Sequence, residues 1–358
     1  MTIHARRSVG ARWAAAAATI IALMTLSIGA QSGVQSANSV QPAINAAFDK
    51  YKDLKEGKNA DYIPALAHVD PNLFGIAVVG ADGKAFTAGD VQTEVSVQSI
   101  SKVFTMARVI QDQGPEAIEK TIGVDATGMK FNSIVAVELA YKVGGGPEMN
   151  PLVNPGAITA TSMVQGQTGE DVWRKILNTY SDFAGRPLTV LQDIYKSESD
   201  SNQRNQAIGM LMHAYGYIKQ NPGQATDLYT RQCSIGVNAK DLATMAATLA
   251  FGGRNPITGK QAINADNVPY VLAVMATAGL YDDSGKWLYH TGLPAKSGVG
   301  GGIIAVVPGK FGIAVVSPPL DEAGNSVRAQ RAITDITMAL GLNPYASKPV
   351  RQPAAVTK

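Results

Sequence analysis

Hydrophobic and polar positions divide the chain into two strand-rich ends around a long helical middle. Residues 73–79 (LFGIAVV) form an apolar run, followed by a turn at 81–84 containing Asp82-Gly83 and a second short run at 85–88. This pattern predicts a hairpin, because Asp-Gly readily supplies the positive φ that tight turns need. GIIAVV at 302–307 and FGIAVV at 311–316, separated by Pro308-Gly309-Lys310, predict another. Between the hairpins, apolar residues recur at helical spacing, which predicts helices over 99–112, 155–166, 169–184, 202–219, 238–251 and 264–278. Gly114, Gly185, Gly252 and Gly279 stand where several of them should stop. Val40, Ile44, Ala47, Phe48 and Tyr51 share one face of a lead-in helix within 39–56, and a last helix is expected over 326–342. The order predicts an α+β fold: an antiparallel sheet assembled from both chain ends, helices packed on it, and a helical subdomain beside it.

The first residues do not fit this scheme. Arg6, Arg7 and Arg12 precede an uncharged, largely apolar run from Ala14 to Ala30 that ends in small residues. This is the pattern of a secretory signal peptide, cleaved near Ala30 or as late as Ala37, with a retained membrane anchor as the alternative. The expected organisation is a signal peptide at 1–30, one catalytic domain at 31–345, and a loose tail at 346–358 that contains Pro349 and Pro353. The mature protein is expected to be exported, periplasmic or secreted, and free of the membrane once cleaved.

Charge then narrows the function. The whole chain has 31 Lys and Arg against 28 Asp and Glu, and the leader holds three of the basic residues and no acid, so the remainder is formally neutral. A nucleic-acid binder would need a basic surplus, so none is expected as a partner. Cys233 is the single cysteine, and four isolated histidines show no paired spacing, so neither a disulfide framework nor a metal site is expected. Residues 254–260 fail the phosphate-loop pattern, and Ile303 occupies the last glycine position of a dinucleotide fingerprint.

Ser99-Ile100-Ser101-Lys102 is an SxxK tetrad at the start of a predicted helix. The i, i+3 spacing brings the Ser99 hydroxyl and the Lys102 amine to one face. Backbone N–H groups at a helix start favour an oxyanion there. A lysine can deprotonate a serine only if burial lowers its pKa, and the pair can then form an acyl-enzyme without histidine. Alone, the tetrad is more simply read as a helix cap beside a solvated lysine. A second signal, Lys296-Ser297-Gly298 followed by Val299 and three glycines, precedes the 302–307 strand. An upstream SxxK paired with Lys-Ser/Thr-Gly on an edge strand is the arrangement of serine β-lactamases and penicillin-binding proteins, where glycines let the strand approach a substrate closely.

Seven strings in order carry a closer resemblance: SISKVF (99–104), FNS (131–133), NPLVN with GAI (150–154, 156–158), SE (197–198), RN (204–205), YTRQCSI (229–235) and GLPAKSGVGGGI (292–303). From about Ile44 to Leu342 the chain resembles the serine-dependent glutaminases, a branch of the β-lactamase-like serine enzymes. The resemblance implies hydrolysis of L-glutamine to L-glutamate and ammonia, without metal or organic cofactor. It implies Ser99 as nucleophile, Lys102 as base, and the N–H groups of Ser99 and Val299 as oxyanion donors. Tyr229 is implied as the phenol that passes a proton to ammonia. Asn154, Glu198 and Asn205 are implied as the clamp on the substrate's α-amino and α-carboxylate groups, and Tyr281 as a lid. Read without the resemblance, Glu198 in KSESDSNQ is a solvated charge in a polar loop. Family habit suggests a homo-oligomer.

Two departures stand out: Pro155 follows Asn154 where alanine is expected, and 143–146 looks like a short insertion. The alternatives are an exported β-lactamase or penicillin-binding relative, which the leader would suit, and a non-catalytic glutamine-binding protein, which would have no use for a buried amine beside a hydroxyl.

Overall fold

The computed structural model describes residues 37–142 and 149–347. The expected signal peptide, the 143–146 insertion and nearly all of the expected tail lie outside these residues.

The two predicted hairpins meet in one sheet. Strands β1 (Gly75–Gly80) and β2 (Ala85–Gly89) come from the start of the domain, and three more come from its end. A two-stranded ribbon intervenes, β3 (Val95–Ser96) with β4 (Gly236–Val237). The late strands are β5 (Ala295–Ser297), β6 (Gly302–Val307) and β7 (Phe311–Val316). The order is β2-β1-β7-β6-β5, antiparallel throughout, so β1 pairs directly with β7 and places Ile76 opposite Val315 and Val78 opposite Ile313. β5 forms one edge.

These strands read as continuous apolar runs because both sheet faces are covered. Ile76, Val78, Ile303, Ala305, Ile313 and Val315 belong to one core, shared with helices α1 (Ala37–Tyr51) and α14 (Val327–Ala339). Their alternates Ala77, Val79, Ile304, Val306, Ala314 and Val316 belong to a second, larger core. The two-residue period of a strand thus splits each run between two hydrophobic layers. The larger core contains α11 (Ala239–Ala250), which lies against the sheet, and the helical block beyond it.

That block holds α3 (Ser101–Gln113), α6 (Asn154–Met163), α7 (Gly169–Ala184), α9 (Gln203–Ala214) and α12 (Val268–Ala278) near the expected positions. It also holds helices that periodicity did not reveal: α2 (Pro64–Ala67), α4 (Pro115–Thr121), α5 (Ile134–Lys142), α8 (Gln192–Ser201), α10 (Pro222–Cys233) and α13 (Ser284–Thr291). Three of the expected helix stops hold glycine at positive φ, Gly114 at 82°, Gly185 at 76° and Gly252 at 66°. Gly279 is different. Its φ is −73°, and a Cβ there would sit 1.7 Å from the Ala295 carbonyl oxygen, so close approach to β5 demands the glycine.

Arg328 of α14 ties the layers together. It is 1% exposed, with Nε donating to Ser317 Oγ at 2.7 Å and its terminal nitrogens donating to the carbonyls of Lys52, Pro71, Asn72 and Leu73. One planar fork thus fixes the segment leading into β1 against α14 and the end of β7. Arg328→Met is expected to strand several buried acceptors and lower the unfolding free energy by roughly 3 kcal/mol or more, read from urea denaturation midpoints.

Candidate active site

Ser99 sits in a 3₁₀ turn, Gln98–Ile100, that runs directly into α3. The turn begins under strain: Gln98 has φ +47° and is almost fully buried, a conformation that a non-glycine residue holds only where its surroundings insist. Its side chain supplies part of that insistence, with Nε2 donating to Ser96 Oγ at 3.2 Å and to Glu198 Oε2 at 3.1 Å. The glycine run after β5 presses on the same turn from the other side. A Cβ on Gly300 would lie 2.6 Å from the Ser96 carbonyl oxygen.

Lys102, in the first turn of α3, points back to Ser99. Its Nζ is 2.8 Å from Ser99 Oγ and 2.7 Å from Asn154 Oδ1, and the residue is 1% exposed. No carboxylate among the described residues forms an ion pair with it. Burial pushes its pKa down from 10.5 to about 8, with Cys233 and Glu198 opposing the shift, so a neutral amine is within reach near physiological pH. Asn154, at the first turn of α6, is the hub. Its Oδ1 accepts from Lys102 and, at 3.2 Å, from the Tyr229 hydroxyl, and its Nδ2 donates to Asn205 Oδ1 at 2.9 Å. Pro155 lies in the first turn of the helix, where its missing N–H is no loss. Tyr229, on α10, is buried, and burial holds its phenol well above its ordinary pKa of 10, so it remains protonated.

Glu198 corrects the polar-loop reading. It lies on α8 and is 5% exposed. Burial raises its pKa from 4.5 to about 7, opposed by the hydrogen bond from Gln98 and the charge of Lys102. Among the described residues no Lys, Arg or His pairs with it, so a buried carboxylate faces the cavity ready for a cation.

A cavity of about 240 Å³ opens beside Ser99, bounded by Asn154, Glu198, Asn205, Tyr229 and Val299. Val299 occupies the turn after β5, in which the Gly301 N–H donates to the Gly298 carbonyl. Among the described residues no acceptor meets the Val299 N–H, which leaves it available to an oxygen in the cavity. The cavity continues past Tyr62, Phe131, Asn132 and Val299 into an outer cleft of about 430 Å³. A larger polar groove of about 670 Å³ lies elsewhere, between 161–172 and 217–228, and shares no residue with this site.

Six of the eight expected residues therefore line one cavity, and a seventh, Lys102, reaches it through its contacts with Ser99 and Asn154. Tyr281 does not. It is packed behind Ser99, 7% exposed, with its hydroxyl 3.4 Å from the Ser297 carbonyl oxygen and its ring 4.8 Å from that of Phe131. The exposed aromatic at the mouth is Tyr62. Sequence reading missed Tyr62, Gln98 and Arg204, which all border the cavity; the exposed Arg204 donates from Nε to the Asn132 carbonyl. Only Arg204 left a trace, as the neighbour of Asn205 in a matched string.

The arrangement provides a hydroxyl beside an amine of lowered pKa, a turn with a free backbone N–H donor, a protonated phenol and a carboxylate in the same cavity. That set suits acyl transfer to serine from a substrate that carries a cation. Similarity to known proteins identifies the family. The family profile described as Glutaminase matches residues 57–345. A glutaminase of Colwellia psychrerythraea is 51% identical over 306 residues, covering 86% of this chain and 97% of that protein. Glutaminase 1 of Escherichia coli K12 is 47% identical over 309 residues, covering 86% and 98%. Among solved structures, a probable glutaminase superposes with TM-score 0.84 at 46% identity, covering 87% of this chain and all of the other. Mglu in its glutamate form superposes with TM-score 0.82 at 32% identity, covering 87% and 71%.

Glu198 makes stability depend on pH in a fixed direction. Between about 4.5 and about 7 the folded chain keeps a proton that the unfolded chain has released, so stability contributed by this group falls as pH rises through that window. Glu198→Gln is expected to leave stability nearly unchanged at pH 4 and to raise it by up to about 3 kcal/mol at pH 8, measured by urea unfolding at both values.

Proposed function

This chain belongs to the glutaminase family, and from that premise we propose that it hydrolyses L-glutamine through an ester on Ser99. The observation behind the mechanism is the 2.8 Å contact between Ser99 Oγ and a buried Lys102 amine that has no carboxylate partner. Neutral Lys102 takes the Ser99 proton as Oγ attacks the side-chain amide carbon. The carbonyl oxygen becomes an oxyanion that receives the N–H groups of Ser99 and Val299. Collapse breaks the C–N bond, and the nitrogen leaves as ammonia with a proton passed from Lys102 through the Asn154-linked Tyr229 phenol. Water then attacks the ester, its proton goes to Lys102, and Ser99 Oγ leaves glutamate with its own proton restored.

Binding follows from charge. Glu198 meets the substrate ammonium, Asn205 and the free Asn154 Nδ2 hydrogen meet the α-carboxylate, and Arg204 at the mouth draws the anionic end inward. Tyr281 supports Ser99 from behind. The penicillin-interacting alternative has no observation in its favour. The proposal retains export directed by residues 1–30 and assembly into a homo-oligomer.

Protein comprising residues 31–358 is expected to release ammonia from L-glutamine, and Ser99→Ala to lose about three orders of magnitude or more in kcat while still binding glutamate. Loss of glutamate binding together with turnover would make Ser99 structural. Because Lys102 must be neutral to act, kcat/KM is expected to climb with pH and level off above an apparent pKa near 8, with a further acid-side loss near 7 where Glu198 takes up its proton. A profile flat from pH 6 to 9 would remove Lys102 from the role of base. Mass analysis of exported protein is expected to show a new N-terminus between residues 31 and 38.

A further inference from the structure

Lys296 is a second completely buried lysine, and the mechanism above does not use it. It lies on the edge strand β5 and is 0% exposed. Among the described residues no carboxylate pairs with it. An unpaired buried amine is costly, and burial together with the charge of Lys102 drives its pKa well below 10.5. Nζ nevertheless has three close electron-rich neighbours. Nζ donates to the Gly279 carbonyl at 3.0 Å and to the Ser297 carbonyl at 2.7 Å, and it stands 4.1 Å from the centre of the Tyr281 ring. At that distance an amine N–H is drawn to the electron-rich ring face, and more strongly when the amine is charged.

Tyr281 needs such a restraint. Its φ is +54°, in the left-handed region that a bulky side chain rarely enters. The turn around it is held by Leu280 N–H donating to Ser284 Oγ, by Ser284 Oγ donating to the Tyr281 carbonyl at 2.8 Å, and by Asn325 Nδ2 donating to the Leu280 carbonyl. These bonds fix the backbone, and the ring depends on other contacts: a long 3.4 Å hydrogen bond from its hydroxyl to the Ser297 carbonyl, and its packing. The ring is what matters at the site: it contacts Phe131, its hydroxyl is near enough to Ser99 to interact with it, and it lies 6.0 Å from Lys102 Nζ.

We propose that Lys296 is a positioning residue whose amine, anchored on the Gly279 and Ser297 carbonyls, presses the strained Tyr281 ring against Ser99 and Phe131 and so fixes the Ser99 rotamer for attack. The inference rests on the Ser99 reading above, and it gives the lysine of the Lys-Ser-Gly string a task without substrate contact. Tyr281 is the intermediary, so the loss of Lys296 and the loss of the Tyr281 ring must be the same defect.

The test is a double-mutant cycle on L-glutamine turnover with Lys296→Met, Lys296→Gln and Tyr281→Leu, with melting temperature followed in parallel. Lys296→Gln retains an N–H donor for the carbonyls and serves if the methionine variant does not fold. Each folded single variant is expected to lose about tenfold to a hundredfold in kcat/KM, chiefly in kcat, and the double variant to be no worse than Tyr281→Leu alone. A folded Lys296 variant with wild-type kcat would overturn the proposal, and so would losses that multiply in the double variant. Failure of the wild-type protein to release ammonia would instead refute the Ser99 reading, so the two failures are distinguishable.

Discussion

A lysine amine buried beside a serine hydroxyl, with no carboxylate to neutralise it, sets the terms for everything around it. Charging Lys102 in this position is penalised by burial, and its two contacts, Ser99 Oγ and Asn154 Oδ1, are neutral. The surrounding groups follow from that penalty. Asn154 fixes the amine's direction without supplying charge, Tyr229 closes the other side of Asn154 with a phenol that stays protonated, and Glu198 is kept far enough away to hold no ion pair with it. Were any of these replaced by a contacting carboxylate, the lysine would be held protonated and lose its capacity to accept.

The same economy appears in the backbone. Two non-glycine residues at positive φ, Gln98 and Tyr281, flank Ser99, one beside it in sequence and the other behind it in space. Each is contacted by a charged side chain from another element, Glu198 of α8 for the first and Lys296 of β5 for the second. Stability spent on buried unpaired charge and on strained backbone is concentrated within one small volume, a distribution expected where geometry serves chemistry.

The sheet was legible because its strands are apolar runs bounded by Asp-Gly and Pro-Gly turns, and the Ser99–Lys102 pair was legible because its members sit three residues apart. The parts that escaped share a physical cause. Helix α8 is polar along most of its length, so its sequence QDIYKSESDS resembles a loop, and the burial of Glu198 arises only when Gln98 and α10 close over it. Tyr62 follows a polar stretch and joins the site solely through tertiary packing. Tyr281 entered as a lid through the family resemblance, and its packing beneath Ser99 beside Lys296 of β5 arises only once the sheet has formed.

The pairing of β1 with β7 has a consequence in time. The sheet cannot gain its central strand neighbour until residues 311–316 have left the ribosome, and the oxyanion turn at Val299 hangs from that same late hairpin. A nascent chain therefore carries Ser99 and Lys102 long before it possesses a surface that can use them. Such a closure between distant segments is intrinsically slow, and it favours completing translation before folding. For a chain read as destined for export, late closure keeps the polypeptide threadable and its chemistry silent until the last strand arrives.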